Sequence, residues 1–171
     1  MTLLLIAALG AAFTAWLIVC HPGWHQRFSL DHDLAGVQKF HTRPTPRIGG
    51  IALLGGLLLA LAGWLLTGGE GLLAYLWLLA SALPVFAAGL VEDVTRRVSP
   101  LQRLVVAFLS AAIAIWLFDA RLTSLSLPYL DDLLQYSLLA ACVMTIFAVG
   151  GVCHSINIID GYNGLMPGVA L

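Results

Sequence analysis

Charged side chains are scarce in this sequence. Its 171 residues include 8 Lys and Arg and 9 Asp and Glu, so that only 10% of the chain is charged and 60% is hydrophobic. Soluble globular domains carry roughly 25% charged residues, and the positive mean hydropathy of +0.95 points away from that class as well. The composition therefore excludes an ordinary soluble domain and predicts a membrane protein.

Cysteine is also scarce, and its placement excludes a disulfide framework. Cys20, Cys142 and Cys153 lie within or at the ends of apolar runs, not in the spaced pattern of small secreted domains. Cys153 and His154 would make half of a metal site, but no second pair of soft ligands lies nearby in the sequence. Structural roles are therefore favoured for both residues.

Long apolar runs are what the sequence has instead. A membrane span needs about 20 mostly apolar residues, and five runs qualify: Met1–Cys20, Ile48–Gly69, Gly71–Val91, the shorter Leu104–Phe118, and Leu133 to about Val152, with Gly164–Leu171 as the start of a sixth. The first run has no basic n-region and no clear cleavage site, so a retained span is favoured over a signal sequence. The sequence predicts an all-α, polytopic transmembrane helix bundle that forms a single domain over 1–171.

The few basic residues predict the orientation of this bundle. Seven lie in two loops, between the first and second spans and between the third and fourth: Arg27, Lys39, Arg43 and Arg47, then Arg96, Arg97 and Arg103. Arg121 lies in a loop of the other parity. By the positive-inside rule the two basic loops are cytoplasmic and the N-terminus is outside. The segment after the fifth span then returns to the cytoplasmic side.

The glycine pairs in GGIALLGG, Gly49 to Gly56, resemble a nucleotide-binding loop only superficially. They fall inside an apolar run, where small residues allow helices to approach each other closely. Helix packing is the favoured interpretation.

Three polar clusters remain as candidates for function, and the first is the basic loop KFHTRPTPRIGG, Lys39 to Gly50. Its prolines hold Arg43 and Thr45 in extended conformations. Positive charge alone would suffice for a loop that only sets topology, and that interpretation stays open. Stiffness immediately before a span favours a binding role.

The second cluster is GLVEDVTRRVSP, Gly89 to Pro100, which places two acids where the third span meets water. Helical spacing would pair Glu92 with Arg96 and Asp93 with Arg97, giving two weak ion pairs at a solvated helix end. The alternative is a hard-cation site, because Mg²⁺ is often held by one or two carboxylates together with substrate phosphates. The sequence of this cluster alone does not decide between them.

The third cluster is HSINIIDGYNGL, His154 to Leu165. Asn157 and Asp160 are three positions apart and would share one face of a helix. A glycine-capped helix end would explain Gly161 and Gly164. It would not explain the concentration of Asn and Asp, and an ionisable residue emerging from an apolar run indicates a functional site.

Together the clusters resemble the successive motifs of one family. The segments are PTPRIGG at Pro44 to Gly50, GLVEDVTRRVSPLQRL at Gly89 to Leu104, and NIIDGYNGL at Asn157 to Leu165. They are similar to the polyprenyl-phosphate N-acetylhexosamine-1-phosphate transferases of glycosyltransferase family 4, which include phospho-N-acetylmuramoyl-pentapeptide transferase and the undecaprenyl-phosphate N-acetylglucosamine-1-phosphate transferases. IIDGYNG is closer to the O-antigen and teichoic-acid initiating branch.

The resemblance implies a reaction and its partners. The expected enzyme transfers a sugar 1-phosphate from a UDP-N-acetylhexosamine to undecaprenyl phosphate and releases UMP, initiating a cell-surface polysaccharide such as O-antigen. It implies Mg²⁺ as cofactor, with Mn²⁺ as an alternative, a lipid bilayer as environment, no nucleic acid, and a homodimer as an open question. The expected location is the bacterial inner membrane, with the active site facing the cytoplasm. A non-catalytic membrane subunit or transporter half that binds a phosphorylated ligand is the alternative.

The resemblance also implies residue roles. Asp93, Glu92 and Asp160 match catalytic positions, and Asn157 and Asp160 match positions near the metal. Lys39, His41 and Arg47 match a basic loop that binds phosphate, and Asn163 is expected to contact the nucleotide sugar.

Two departures from the family pattern qualify the expectation. The family usually has Asp-Asp where this chain has Glu92 and Asp93, so the metal role is less secure for Glu92. A later metal-binding Asp and a histidine-rich loop are absent from the 171 residues, which therefore resemble the N-terminal part of a longer family fold. The sequence predicts either a fragment or a truncated product, and activity of the chain alone is not assured.

Overall fold

The computed structural model describes residues 2–31, 45–68 and 71–159, with only the backbone described for a few of them. Its helices are α1 (Thr2–Cys20), α2 (Gln26–Ser29), α3 (Gly49–Thr67), α4 (Leu72–Thr95), α5 (Pro100–Phe118), α6 (Pro128–Tyr136) and α7 (Leu138–Ile159). A single 3-10 turn covers Pro22–Trp24, and two short strands, β1 (Leu30–Asp31) and β2 (Thr45–Pro46), pair antiparallel.

Five of these helices are long and apolar enough to cross a membrane, namely α1, α3, α4, α5 and α7. The predicted all-α fold with five spans is confirmed. The start of a sixth span, at Gly164–Leu171, lies outside the described residues, and the orientation of the bundle stays a prediction. The three cysteines are free thiols.

Several boundaries differ from the predicted ones, and two of these differences have a clear local cause. The fifth span begins at Leu138 rather than Leu133, because Ser137 takes an extended conformation and separates α7 from the short helix α6. The fourth begins earlier than Leu104, at Pro100, where Ser99 and Gln102 form a capping box. In that box the Ser99 hydroxyl accepts the Gln102 N–H, and the Gln102 side chain accepts the Ser99 N–H at 2.8 Å. Capping chemistry therefore sets the boundary where hydropathy does not.

The chain divides into two compact units, Met1–Tyr75 with Gly89–Val98, and Leu76–Ala88 with Ser99–Leu171. In the first unit, α1 packs on α3 through small residues. A Cβ at Gly56 would overlap the backbone oxygen of Ala7 and lie 2.9 Å from the Cβ of Ala11. Only glycine permits this approach, so the packing interpretation of GGIALLGG is confirmed for its second glycine pair, whereas nothing lies within 4 Å of a Cβ at Gly49.

In the second unit, α5 packs on α7, and its buried residues include Ala107, Ala111 and Ala141. The rings of Phe108 and Phe147 lie 5.3 Å apart. A Cβ at Gly150 would overlap the Phe108 ring, which occupies the space that this glycine leaves open.

The same unit contains the middle of α4, where Pro84 lies inside the helix. Proline removes a backbone hydrogen bond and kinks the helix, and in a membrane the polar groups that it disturbs need other partners. The N–H of Val85 donates to the buried hydroxyl of Ser110 on α5 at 3.2 Å. Ser110 thus provides a hydrogen-bond acceptor for the residue that follows Pro84.

Candidate active site

The two acids of the second cluster lie in the last turn of α4, which ends at Thr95. Arg96 follows in the left-handed conformation, with φ at 56°, and its N–H donates to the Glu92 carbonyl at 2.7 Å. The helix therefore does not continue to Arg97. Asp93 and Arg97 therefore do not lie in one helix, and the helical spacing on which their pairing would rest does not apply.

The chain leaves the helix here for reasons of sequence. Pro100 restricts the preceding residue, and Ser99 is extended, with φ at −75° and ψ at 155°. The hydroxyl of Thr95 donates back to the Val91 carbonyl at 2.6 Å and helps to satisfy the last turn. The acids are consequently held at a defined helix terminus.

Glu92 and Asp93 are both half-buried but project in different directions. Successive residues of an α-helix are rotated by about 100°, so adjacent side chains do not face each other. The charge of Glu92 nevertheless repels that of Asp93, and the guanidinium of Arg47 attracts it. The cation that acts on Asp93 thus comes from the basic loop.

A short antiparallel ladder places Arg47. Leu30 pairs with Pro46 and Asp31 with Thr45, and the Arg47 N–H donates to the Ser29 carbonyl at 2.9 Å. Ser29 therefore continues the same register opposite Arg47. The extended conformation predicted for Thr45 is confirmed, and it delivers Arg47 directly to the buried residue Ile48 and the start of α3.

A buried pair of polar residues, which the sequence did not predict, lies next to the ladder. His25 is 7% exposed and Ser29 is fully buried. Nε2 of His25 is 2.8 Å from the Ile18 carbonyl at the end of α1, and Nδ1 bonds the Ser29 hydroxyl. The sequence signal was the HPGWHQRFS stretch after the first span, in which a Pro-Gly break is followed by His25 and Ser29 four positions apart.

Several predicted site residues lie outside the described residues. These are Lys39, His41, Asp160 and Asn163. Asn157 belongs to the last turns of α7, but its side chain is not described. Their roles stay predictions, and Arg47, Glu92 and Asp93 are the predicted residues that the structure brings together.

This arrangement has the chemistry of a phosphate site. A guanidinium is a good partner for phosphate oxygens, and two carboxylates supply the oxygen ligands that Mg²⁺ prefers. Among the described residues no group of three or more His, Cys, Asp or Glu side chains is placed to hold a metal ion. One carboxylate still fits Mg²⁺, because that ion is commonly bound by one or two of them together with substrate phosphates.

Comparison with known proteins agrees with the family resemblance. Residues 75–171 match the sequence pattern of a family described as "Glycosyl transferase family 4". The match covers more than half of the chain and includes Glu92 and Asp93. No solved structure matches the chain. The extent of the family match shows that the chain belongs to glycosyl transferase family 4.

Proposed function

We propose that the protein transfers an N-acetylhexosamine 1-phosphate from a UDP-sugar to undecaprenyl phosphate. Family membership supports the broader activity, a sugar-phosphate transferase acting on a polyprenyl phosphate. The observation that carries the proposal is the placement of half-buried Asp93 at the end of an apolar helix, with the charge of Arg47 acting on it. Such a site can receive a lipid from the bilayer and a nucleotide from water.

The proposed reaction joins two phosphates. An oxygen of undecaprenyl phosphate forms a bond to the phosphorus that carries the sugar, the bridging bond from that phosphorus to uridylate breaks, and UMP leaves. The products are undecaprenyl-diphosphate-sugar, the starting unit of a surface polysaccharide such as O-antigen, and UMP. The lipid phosphate could attack directly, or a carboxylate could first form a covalent phospho-enzyme. Trapping of labelled protein would distinguish these two routes.

The residues of this chain have distinct proposed roles. Arg47 binds phosphate oxygens and offsets their charge. Asp93 acts as the base for undecaprenyl phosphate or helps to hold the diphosphate. Asn157 and Asp160 would hold Mg²⁺, which when bound neutralises phosphate charge in the transition state. The site would face the cytoplasm of a bacterial inner membrane.

The test uses the full gene product in membranes that contain undecaprenyl phosphate, incubated with labelled UDP-N-acetylglucosamine and other UDP-N-acetylhexosamines. We expect lipid-soluble label, with Asp93→Asn lowering its formation by about 100-fold or more, the usual size for loss of a catalytic group. Asp132→Asn is the matched control, because Asp132 is an exposed acid on α6. Full turnover in Asp93→Asn would remove Asp93 from the site. Uptake of label without lipid product would instead support the transporter alternative.

A further inference from the structure

The structure contains a buried titratable group that the proposed reaction does not use, namely His25 with its partner Ser29. We propose that His25 and Ser29 are positioning residues for Arg47: they fix its main chain so that its guanidinium acts on Asp93. The inference rests on the proposed function for its catalytic consequence, but not for its structural part.

The first step concerns the buried pair itself. Buried polar groups destabilise a fold unless they are hydrogen-bonded, and both ring nitrogens of His25 have partners. The Ile18 carbonyl can only accept, so Nε2 carries a proton and donates. The Ser29 hydroxyl lies between two acceptors, Nδ1 and the His25 carbonyl 3.0 Å away, and its single proton donates to one of them at a time. The pair thereby connects the end of α1 to α2.

The second step carries this order to Arg47. Ser29 is the residue directly opposite Arg47, and its carbonyl accepts the Arg47 N–H. On the other side of Arg47, Ile48 is 4% exposed and begins α3. The main chain of Arg47 is therefore held by a hydrogen bond at its own N–H and by burial of the next residue. A long, flexible side chain can aim at one carboxylate only if its Cα is held in place.

The third step explains why this pair serves position rather than general stability. Two apolar side chains would fill the same space without the cost of burying polar groups. A histidine and a serine instead supply directional hydrogen bonds. These bonds hold Ser29, whose carbonyl accepts the Arg47 N–H. Directional bonds fix a distance and an angle, which apolar packing does not.

The kinetic test is a double-mutant cycle in the full gene product. Ser29→Ala removes the hydroxyl but keeps the carbonyl that binds Arg47. We expect it to lower kcat/KM by about 10-fold, since small misplacements of catalytic groups are costly, and to change whichever of kcat or KM Arg47→Ala changes. In the Arg47→Ala background its additional effect should be less than about 2-fold, because coupled residues are non-additive.

Ser81→Ala is the matched control, because Ser81 is also buried and its hydroxyl also bonds a backbone carbonyl, that of Leu78, within α4. We expect its kinetics to equal those of the parent. Full additivity of Ser29→Ala with Arg47→Ala would overturn the proposal, as would a shift in the kinetic parameter that Arg47→Ala leaves unchanged.

A second measurement needs no turnover. Spin labels at Gly49→Cys and Val91→Cys, in a background with the three native cysteines replaced, report the distance from the start of α3 to the acidic end of α4. Both sites are exposed, and nothing lies within 4 Å of a Cβ at Gly49. Ser29→Ala should broaden the distance distribution, and an unchanged distribution would overturn the proposal. If the parent forms no lipid-linked product but the distribution broadens, the proposed function fails and the positioning role stands.

Discussion

Arg47 and Asp93, which are far apart in the sequence, act on each other at the end of α4. One comes from the ladder before α3 and the other from the last turn of an apolar helix. This interaction joins the basic loop to the acidic cluster within one compact unit. It is a long-range interaction that helical spacing along α4 does not predict.

Substitution of Arg47 should therefore impair turnover according to charge and shape. We expect Arg47→Gln to lower it by about 100-fold, the usual effect of losing one charged donor at a reacting phosphate or oxyanion. Arg47→Lys should lose less, because it keeps the charge but not the guanidinium fork. Initial rates per amount of membrane protein provide the measurement. Arg27→Gln is the control, since Arg27 is an exposed cation of the same loop, and an equal loss there would contradict a specific role.

Gly56 should be the glycine of α3 that is least tolerant of substitution. Alanine there would place a methyl group against the backbone of Ala7, which cannot move aside as a side chain can. We expect Gly56→Ala to lower the free energy of unfolding by about 1–3 kcal/mol, as overpacking does. Gly63→Ala is the comparison, because its nearest neighbour is the flexible end of Ile6 at 3.3 Å. Thermal unfolding in detergent that ranks the two variants the other way would refute the close packing.

The adjacent glycines of α7 provide a second matched pair. Gly150→Ala should destabilise the protein, because its methyl group would meet the Phe108 ring, whereas Gly151→Ala meets open space. Gly151→Ala should gain up to about 1 kcal/mol from helix propensity. Adding Phe108→Leu to Gly150→Ala should restore part of the loss, because the two changes share one space. Unfolding midpoints of the four proteins are the measurement, and equal midpoints for Gly150→Ala and Gly151→Ala would argue against this contact.

Asp131 should make the turn before α6 sensitive to acid. Its carboxylate accepts the Leu125 N–H at 2.6 Å and the Ser124 hydroxyl at 2.9 Å, and the backbone bond is the main cause that lowers the pKa of Asp131 below its ordinary value. A lowered folded-state pKa means that the stabilisation is present above the ordinary value of about 4. It is lost as the pH falls through the lower, folded value.

The corresponding measurement compares the parent with Asp131→Asn by thermal unfolding at pH 6 and at pH 3. The parent should be more stable than Asp131→Asn at pH 6, and this difference in stability should be smaller at pH 3. Asp132→Asn, a change at an exposed neighbour, should track the parent at both values. A difference between the parent and Asp131→Asn that is as large at pH 3 as at pH 6 would refute the role of the Asp131 carboxylate.

Much of the fold could be predicted because run length in an apolar sequence is a sufficient signal for a span. The five spans are confirmed, and so is the packing role of Gly55 and Gly56. The split at Ser137 could not be predicted from hydropathy, because Leu133 and Leu138 lie in one continuous apolar run. What separates α6 from α7 is the backbone conformation of a single residue.

The candidate site was predicted in its residue types but not in its connections. The polar clusters predict Arg47, Glu92 and Asp93 as site residues. Helical spacing, however, points to a partner for Asp93 on its own helix. Backbone hydrogen bonds between distant segments, such as that from Arg47 to Ser29, leave no periodic trace in a sequence. The buried role of His25 was missed for the same reason.

The ladder between Leu30–Asp31 and Thr45–Pro46 also bears on how the protein could be altered. It brings Asp31 and Thr45, the residues that flank 32–44, to within about 5 Å of each other, the spacing of paired strands. A segment with joined ends can change in length at little expense, since doubling a loop costs about 0.6 kcal/mol. Exchange of 32–44 between relatives should therefore leave α1 and α3 in register.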